Sequence, residues 1–368
     1  MKRCLHILPM GTVSGAEKMA LILCRNLKQY DPIVVCGGKK LNDEFRKNGI
    51  ESYELNFSSK NLVKLLNNLK KIIKGKDIKI IHSHDNKASI IGYLVKKVYR
   101  LDIKVISHIH SCYPFLVNNR LNKKIDSFFR PRYDYNIACG DLVYDYYACN
   151  AKYFKGDKTN ILPNAIDIEE ILYKYKNEHE TLRRQLNINQ NDIVLGFIGR
   201  ICNIKGIIPF IKEVAKRKED FIGCKILLVG SGEEEEEVKR LVYKHKLDNL
   251  FILTGFKEDV YSFYKIMDIF FLPSLYEGLP MVILEAMAFK KAIVSMNVGS
   301  ISQAVRNNKN GYLIDNRDFS LFLDKIIYLK NNKELRKQMG ENSFRYLKKE
   351  YDIKKYVKEI NNLYEYKL

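Results

Sequence analysis

The chain of 368 residues has no tryptophan and only eight prolines, and no apolar run in it reaches the roughly 20 residues that cross a bilayer. The start, MKRCLHILPMGTVSG, turns polar too soon for a secretory leader, so a cytoplasmic protein is expected. Its eight cysteines include no C-x-x-C pair, which removes the usual zinc and dithiol spacings and reads as reduced thiols in a core. No G-x-G-x-x-G follows the first strand, so a dinucleotide site lacks its fingerprint. No D-x-D occurs either, and with it goes the usual carboxylate pair for a nucleotide-bound divalent ion; no metal cofactor is expected.

What remains is a globular composition, 46% hydrophobic and 29% charged, long enough for two domains. The net charge is +20 and unevenly spread. Residues 1–168 hold 29 lysines and arginines against 15 acids, a surplus of +14; residues 169–368 hold 34 against 28, a surplus of +6. Basic stretches such as KLLNNLKKIIKGKDIK and NNRLNKKIDSFFRPRY interleave cations with apolar and aromatic residues. That mixture suits an anionic membrane surface at least as well as nucleic acid.

Short apolar runs alternate with helical patterns along the whole chain. RCLHIL, PIVVCG, IKIIHSH, IKVISHIH, YNIACG and TNILP read as buried strands in the first half. DIVLGFIG, KILLVG, NLFILTG, DIFFLP, KAIVS and GYLI restart the pattern from about residue 192. Strand-helix alternation predicts α/β architecture with two parallel sheets, a polar connection around residues 168–192, and a closing helix over IKKYVKEINNLYEYKL. Ligands in such folds settle where strands end and helices begin, so chemistry is sought there.

Three places qualify. After the first strand, Gly11 and Gly15 bracket a small polar turn in MGTVSGAEKMA. After the first strand of the second half, FIGRICNIKG carries Arg200 and Lys205, a guanidinium fork and a mobile ammonium suited to a diphosphate. In PSLYEGLPMVILEAMA, Pro280 predicts the first turn of a helix, with Glu277 on the loop and Glu285 inside. Gly278 and Leu279 then offer backbone N–H groups to phosphate, and the two carboxylates accept from hydroxyls, a combination that favours a sugar nucleotide.

With these residues in view the sequence resembles the retaining glycosyltransferases of the GT-B type, family 4. EGLPMVILE is similar to their E-x7-E signature, and GTVSGAE, HIHS, LPNAID, GRICNIKG, LVGSGEE and LTGFKEDVYSFY follow in the family's order. The resemblance implies two Rossmann-like domains facing each other across a cleft. Residues 1–168 would bind acceptor, 169–350 would bind donor, and the helix 351–368 would cross back to the first domain. It implies a hexose moved from a nucleoside diphosphate sugar, UDP-linked, to a saccharide or lipid-linked acceptor in capsule-type polysaccharide assembly, with a peripheral place at the inner face of the plasma membrane. Arg200 and Lys205 would hold the diphosphate, Glu285 the ribose, Glu277 the donor sugar, Gly15 would approach the phosphates, and His110 would contact the transferred sugar. Two departures stand out: Ser14-Gly15 replaces a glycine pair, and NVGSISQAV, with Ser300 and Gln303, replaces a glycine pair followed by glutamate.

Other readings stay open at this level. Two H-x-H pairs, His82 and His84 before Asp85, and His108 and His110, both end predicted strands and could ligate zinc in a hydrolase. A sugar-nucleotide epimerase of GT-B type would need the same diphosphate and hydroxyl contacts. The run Glu233–Glu237 reads as the acidic opening of a helix just after Gly232.

Overall fold

The computed structural model describes residues 1–174 and 180–366; residues 175–179, within the polar connection expected over 168–192, and the last two of the closing helix lie outside the described residues. The chain forms two compact units, Met1–Ile166 with Ile353–Leu368, and Asp167–Asp352.

In the first unit seven strands, β1 (Lys2–Leu8), β2 (Tyr30–Cys36), β3 (Glu51–Glu54), β4 (Ile80–His84), β5 (Lys104–Ile109), β6 (Tyr135–Ala138) and β7 (Thr159–Ile161), make one sheet in the order β3-β2-β1-β4-β5-β6-β7. Every pairing is parallel. Such a sheet is covered on both faces, which is why its strands read as continuous Ile/Val/Leu runs instead of alternating ones. The C-terminal helix Ile353–Tyr366 belongs to this unit and buries Tyr356, Ile360, Leu363 and Tyr364, the i, i+4, i+7, i+8 face that the sequence shows. Tyr364 meets Tyr30 edge to face at 5.0 Å and reaches His82 in the sheet.

The second unit repeats the plan. Strands β8 (Ile193–Ile198), β9 (Cys224–Val229), β10 (Phe251–Leu253), β11 (Ile269–Leu272), β12 (Ala292–Met296) and β13 (Gly311–Ile314) pair in the order β10-β9-β8-β11-β12-β13, again all parallel. Phe197, Phe210, Phe271 and Phe322 fill one face, with Phe210 stacked on Phe271 at 4.5 Å. Burying each such ring is worth roughly 2 to 3 kcal/mol. In both sheets the chain reverses direction of growth at one point, between β1 and β4 and between β8 and β11. That is where a doubly wound sheet opens to a ligand. All eight cysteines are free thiols; Cys149 is exposed and Cys202 half-buried, the other six buried.

Candidate functional site

At the switch point of the second sheet, the loops after β8 and β11 are tied together by Leu275 N–H donating to the Ile204 carbonyl at 2.8 Å. Two glycines permit this. Gly206 sits at φ 68°, and a Cβ there would stand 2.1 Å from the Pro273 carbonyl oxygen. Gly299 sits at φ 61°, and its Cβ would meet the Glu277 carbonyl oxygen at the same distance. The loops after β8, β11 and β12 therefore lie backbone against backbone. This brings Lys205 to Glu277: Nζ stands 2.5 Å from Oε1, with only 17% and 9% of the two side chains exposed. An ammonium and a carboxylate so far out of water are tolerable because they neutralise each other.

The other candidates are placed differently. Arg200 is exposed and paired with Glu233, its Nε donating at 3.0 Å, rather than with Lys205 or Glu277. Glu233 is the acid that sequence reasoning assigned to a helix start. The helix instead begins at Glu235, because Gly232 is pressed against the Ile201 carbonyl and Glu234 N–H donates to that same oxygen at 3.0 Å. Pro280 likewise precedes the helix Met281–Ala288 and stays extended at ψ 134°; Gly278 accepts from Ser300 N–H at 3.1 Å. Leu279 is buried. Glu285 is 1% exposed and accepts from the Tyr264 hydroxyl at 2.8 Å, a bond that, after burial, holds that phenol well above its ordinary range. Sequence reasoning passed over Tyr264, whose only signal is a tyrosine on the buried side of YSFY.

In the first unit Gly15 opens the helix Gly15–Asn26, with nothing within 4 Å of where a Cβ would stand. Ser14 caps that helix, its N–H donating to Glu17 at 3.1 Å. Asp85, after β4, is held at φ 92° while its carboxylate accepts from Ala88 N–H at 2.8 Å; burial lifts its pKa to about 6.

Register gathers the histidines. His6 lies opposite His82, and His84 opposite His108, so with the two-residue period of strands these four and His110 share one face. His6, in the middle of an apolar strand, went unremarked in the sequence. Burial takes His6 to about 3 and His110 to about 4; burial and then the neighbouring imidazoles hold His82, His84 and His108 well below the usual range. Two triads, His6-His82-His84 and His84-His108-His110, have nitrogens close enough to suggest a metal. Yet His6 Nδ1 and His84 Nε2 meet head-on at 3.0 Å, and His84 Nδ1 and His110 Nε2 at 3.1 Å. Two nitrogens sharing zinc along such a line stand about 4 Å apart, since each bond is about 2.0 to 2.1 Å. The spacing is that of hydrogen-bonded imidazoles. His108 Nε2 alone among these nitrogens is buried with no partner among the described residues.

The family model "Glycosyl transferases group 1" matches residues 178–364, just over half of the chain, and the model "Glycosyltransferase Family 4" matches residues 13–170. The chain belongs to the group 1 glycosyl transferases. The Escherichia coli UDP-Gal:alpha-D-GlcNAc-diphosphoundecaprenol alpha-1,3-galactosyltransferase is 25% identical, over 98% of this transferase and 95% of that protein. A Rickettsia africae glycosyltransferase superposes with a TM-score of 0.87 at 21% identity, covering 100% of this chain and 98% of that one. Anabaena HepE, solved with UDP-glucose, gives 0.83 at 18% identity over 99% of both chains. The fold is GT-B, and this transferase's E-x7-E pair and its Lys205 sit at the switch point of one of its two sheets.

One further surface of the transferase belongs to the first unit. Helix Arg120–Phe129 turns Leu121, Ile125 and Phe128, at i, i+4 and i+7, to solvent; Leu121 is 69% and Phe128 52% exposed, and Val117 on the preceding turn is exposed too. Arg120 and Lys124 are exposed beside them, and the Arg132 guanidinium covers the Phe128 ring at 4.0 Å. The helix is fastened from within by the buried Asp126–Arg130 pair at 2.7 Å. Among the described residues no helix is long and apolar enough to cross a membrane.

Proposed function

We propose that this transferase moves a hexose from a UDP-linked sugar to a saccharide or lipid-linked acceptor, with retention of anomeric configuration, in the assembly of a surface polysaccharide at the inner face of the plasma membrane. The observation that carries the reading is the Lys205–Glu277 contact at the β8/β11 switch point. A diphosphate arriving there competes for the ammonium, and the released carboxylate is left to accept from sugar hydroxyls; one event both binds the phosphates and arms the sugar contact. Arg200 exchanges Glu233 for phosphate in the same way, Gly278 and Leu279 border the phosphates, and Glu285, oriented by Tyr264, takes the ribose. Gly15 gives the phosphates room beside a helix N-terminus, and His110 contacts the transferred sugar.

In the transfer step the bond from the anomeric carbon to the leaving phosphate oxygen breaks and one to the acceptor oxygen forms on the same face. The acceptor proton passes to the departing phosphate, and Lys205 and Arg200 stabilise the charge that develops there. These cations do the work elsewhere given to a divalent ion, so no metal is required in this reading. Support for the donor and acceptor comes from the relatives: the E. coli protein is named for UDP-Gal and a diphosphoundecaprenol-linked acceptor, and HepE was solved with UDP-glucose. The exposed apolar stripe of helix Arg120–Phe129, rimmed by cations, fits an anionic bilayer where such an acceptor resides.

The test is a screen of UDP- and GDP-sugars by thermal shift, then incubation of the stabilising donor with and without lipid-linked and soluble saccharides. Acceptor-dependent release of UDP with the α-linkage retained from an α-linked donor is expected. Conversion of donor alone to an isomeric sugar nucleotide would replace transfer by epimerisation.

A further inference from the structure

The five imidazoles of the first unit form two layers. In one, His6, His84 and His110 are joined by N···N contacts of 3.0 and 3.1 Å, with both pairs of ring centroids 5.3 Å apart and planes within 23°. Such short nitrogen contacts between such distant centroids mean that the rings meet edge to edge, each lone pair aimed along the next N–H. In the other layer Tyr364, His82 and His108 are joined at 2.7 and 3.2 Å. The layers lie face to face, His82 on His84 at 4.6 Å and His108 on His110 at 4.0 Å.

A neutral imidazole has one N–H and one lone pair, so a row of them has a direction, and one end decides it for all. The first row runs back to the buried Cys4, whose Sγ stands 3.6 Å from His6 Nε2 and is also hydrogen-bonded to the Tyr364 hydroxyl. Burial, first of all, pushes that thiol far above its ordinary range, so it carries a proton to give. With S–H donating to His6 Nε2, His6 Nδ1–H donates to His84 Nε2, and His84 Nδ1–H donates to His110 Nε2. The proton of His110 is then on Nδ1. We propose that His84, backed by His6 and Cys4, is a positioning residue for sugar transfer: it holds the His110 ring in one plane and one tautomer, with Nδ1–H the donor offered to the transferred sugar. This rests on the reading of His110 as a sugar contact.

The experiment pairs two amides of similar size. In His84→Asn the amide occupies the place of Nδ1 and still reaches His110; in His84→Gln it occupies the place of Nε2 and does not. Histidine-selective 15N spectra, with His110→Ala to assign the ring, are expected to show a single Nδ1–H tautomer at His110 in the native chain and a mixture in His84→Gln, which loses the contact, and in His84→Asn, which keeps the contact but breaks the row to His6 and Cys4. Steady-state kinetics are expected to follow: kcat falls about tenfold or more in His84→Gln with donor KM within about threefold, and His84→Asn, whose amide still holds the ring plane, restores part of it. Cys4→Ala replaces no histidine, serves if His84→Gln does not fold, and is expected to release the same tautomer mixture. An Nε2–H tautomer in the native protein, or a single tautomer retained in Cys4→Ala, overturns the proposal. The spectra need no substrate, so a fixed tautomer in a chain that transfers no sugar would instead overturn the functional reading on which the proposal rests.

Discussion

The two glutamates of the E-x7-E pair live in opposite surroundings, and that difference predicts how each responds to substitution. Glu277 touches Lys205 near the surface of its unit, whereas Glu285 is enclosed with Tyr264. Glu277→Gln keeps the shape but gives up the charge that balances Lys205 and accepts from sugar hydroxyls. It is expected to lower kcat by about a hundredfold while changing UDP affinity by less than about threefold. Glu285→Gln, chosen over alanine so that no cavity opens, is expected to weaken UDP binding about tenfold, and Tyr264→Phe to do so by a smaller factor through loss of the orienting hydroxyl. Equal losses of rate and affinity in both glutamate variants would count against separate roles; titration calorimetry with UDP beside steady-state rates decides. The spacing of the pair, and its place beyond a strand, could be read from the sequence. That Lys205 neutralises one acid and Tyr264 holds the other could not, because the first contact joins loops 72 residues apart that close up at glycines 206 and 299, and the second joins side chains of two separate helices.

Elements were more legible than contacts. Buried parallel strands announce themselves as runs of Ile, Val and Leu, so β1, β4, β5, β8 and β12 stand out, and the closing helix shows its Tyr356-Ile360-Leu363-Tyr364 face directly. The direction in which helix Arg120–Phe129 faces was hidden, since amphipathic spacing does not say which side looks inward. Here the apolar stripe looks outward, because the buried side is claimed by Asp126 and Arg130, which satisfy each other and Tyr147 and Tyr153. If the stripe seats on an anionic bilayer, Leu121→Ser with Phe128→Ser should release most of the protein from vesicles containing about a third phosphatidylglycerol, as read by co-sedimentation. Lys124→Glu should weaken binding at low salt and leave the remainder less sensitive to salt. Neither change should alter turnover of a soluble acceptor. Retention by zwitterionic vesicles equal to that by anionic ones would remove the electrostatic half of the argument.

At the scale of the whole molecule, the two units repeat one strand order but not one chemistry of burial. The first has five histidines kept neutral on one sheet face; the second has a half-buried Lys291, its ammonium brought down to about 8 by loss of solvent. A histidine whose folded pKa lies below its unfolded value of about 6.5 contributes full stability above that pH and loses it as pH falls toward the folded value. For His6 and His110 that window runs from about 6.5 down to about 3 and 4. Asp85 acts the other way, because its pKa is raised to about 6 and its burial is eased by protonation, but it is one group against five. Lys291 stays protonated throughout this window and adds no pH dependence to the second unit there. Acidification from pH 7 to pH 4.5 should therefore destabilise the first unit well before the second. Hydrogen exchange resolved by peptide is the measurement: strands β1, β4 and β5 should lose protection at a pH where β8, β9 and β11 keep theirs, and exchanging His82 and His108 together for phenylalanine and leucine should shift the first unit's midpoint to lower pH. Simultaneous loss of protection in both sheets would mean that the imidazole rows do not set the acid limit.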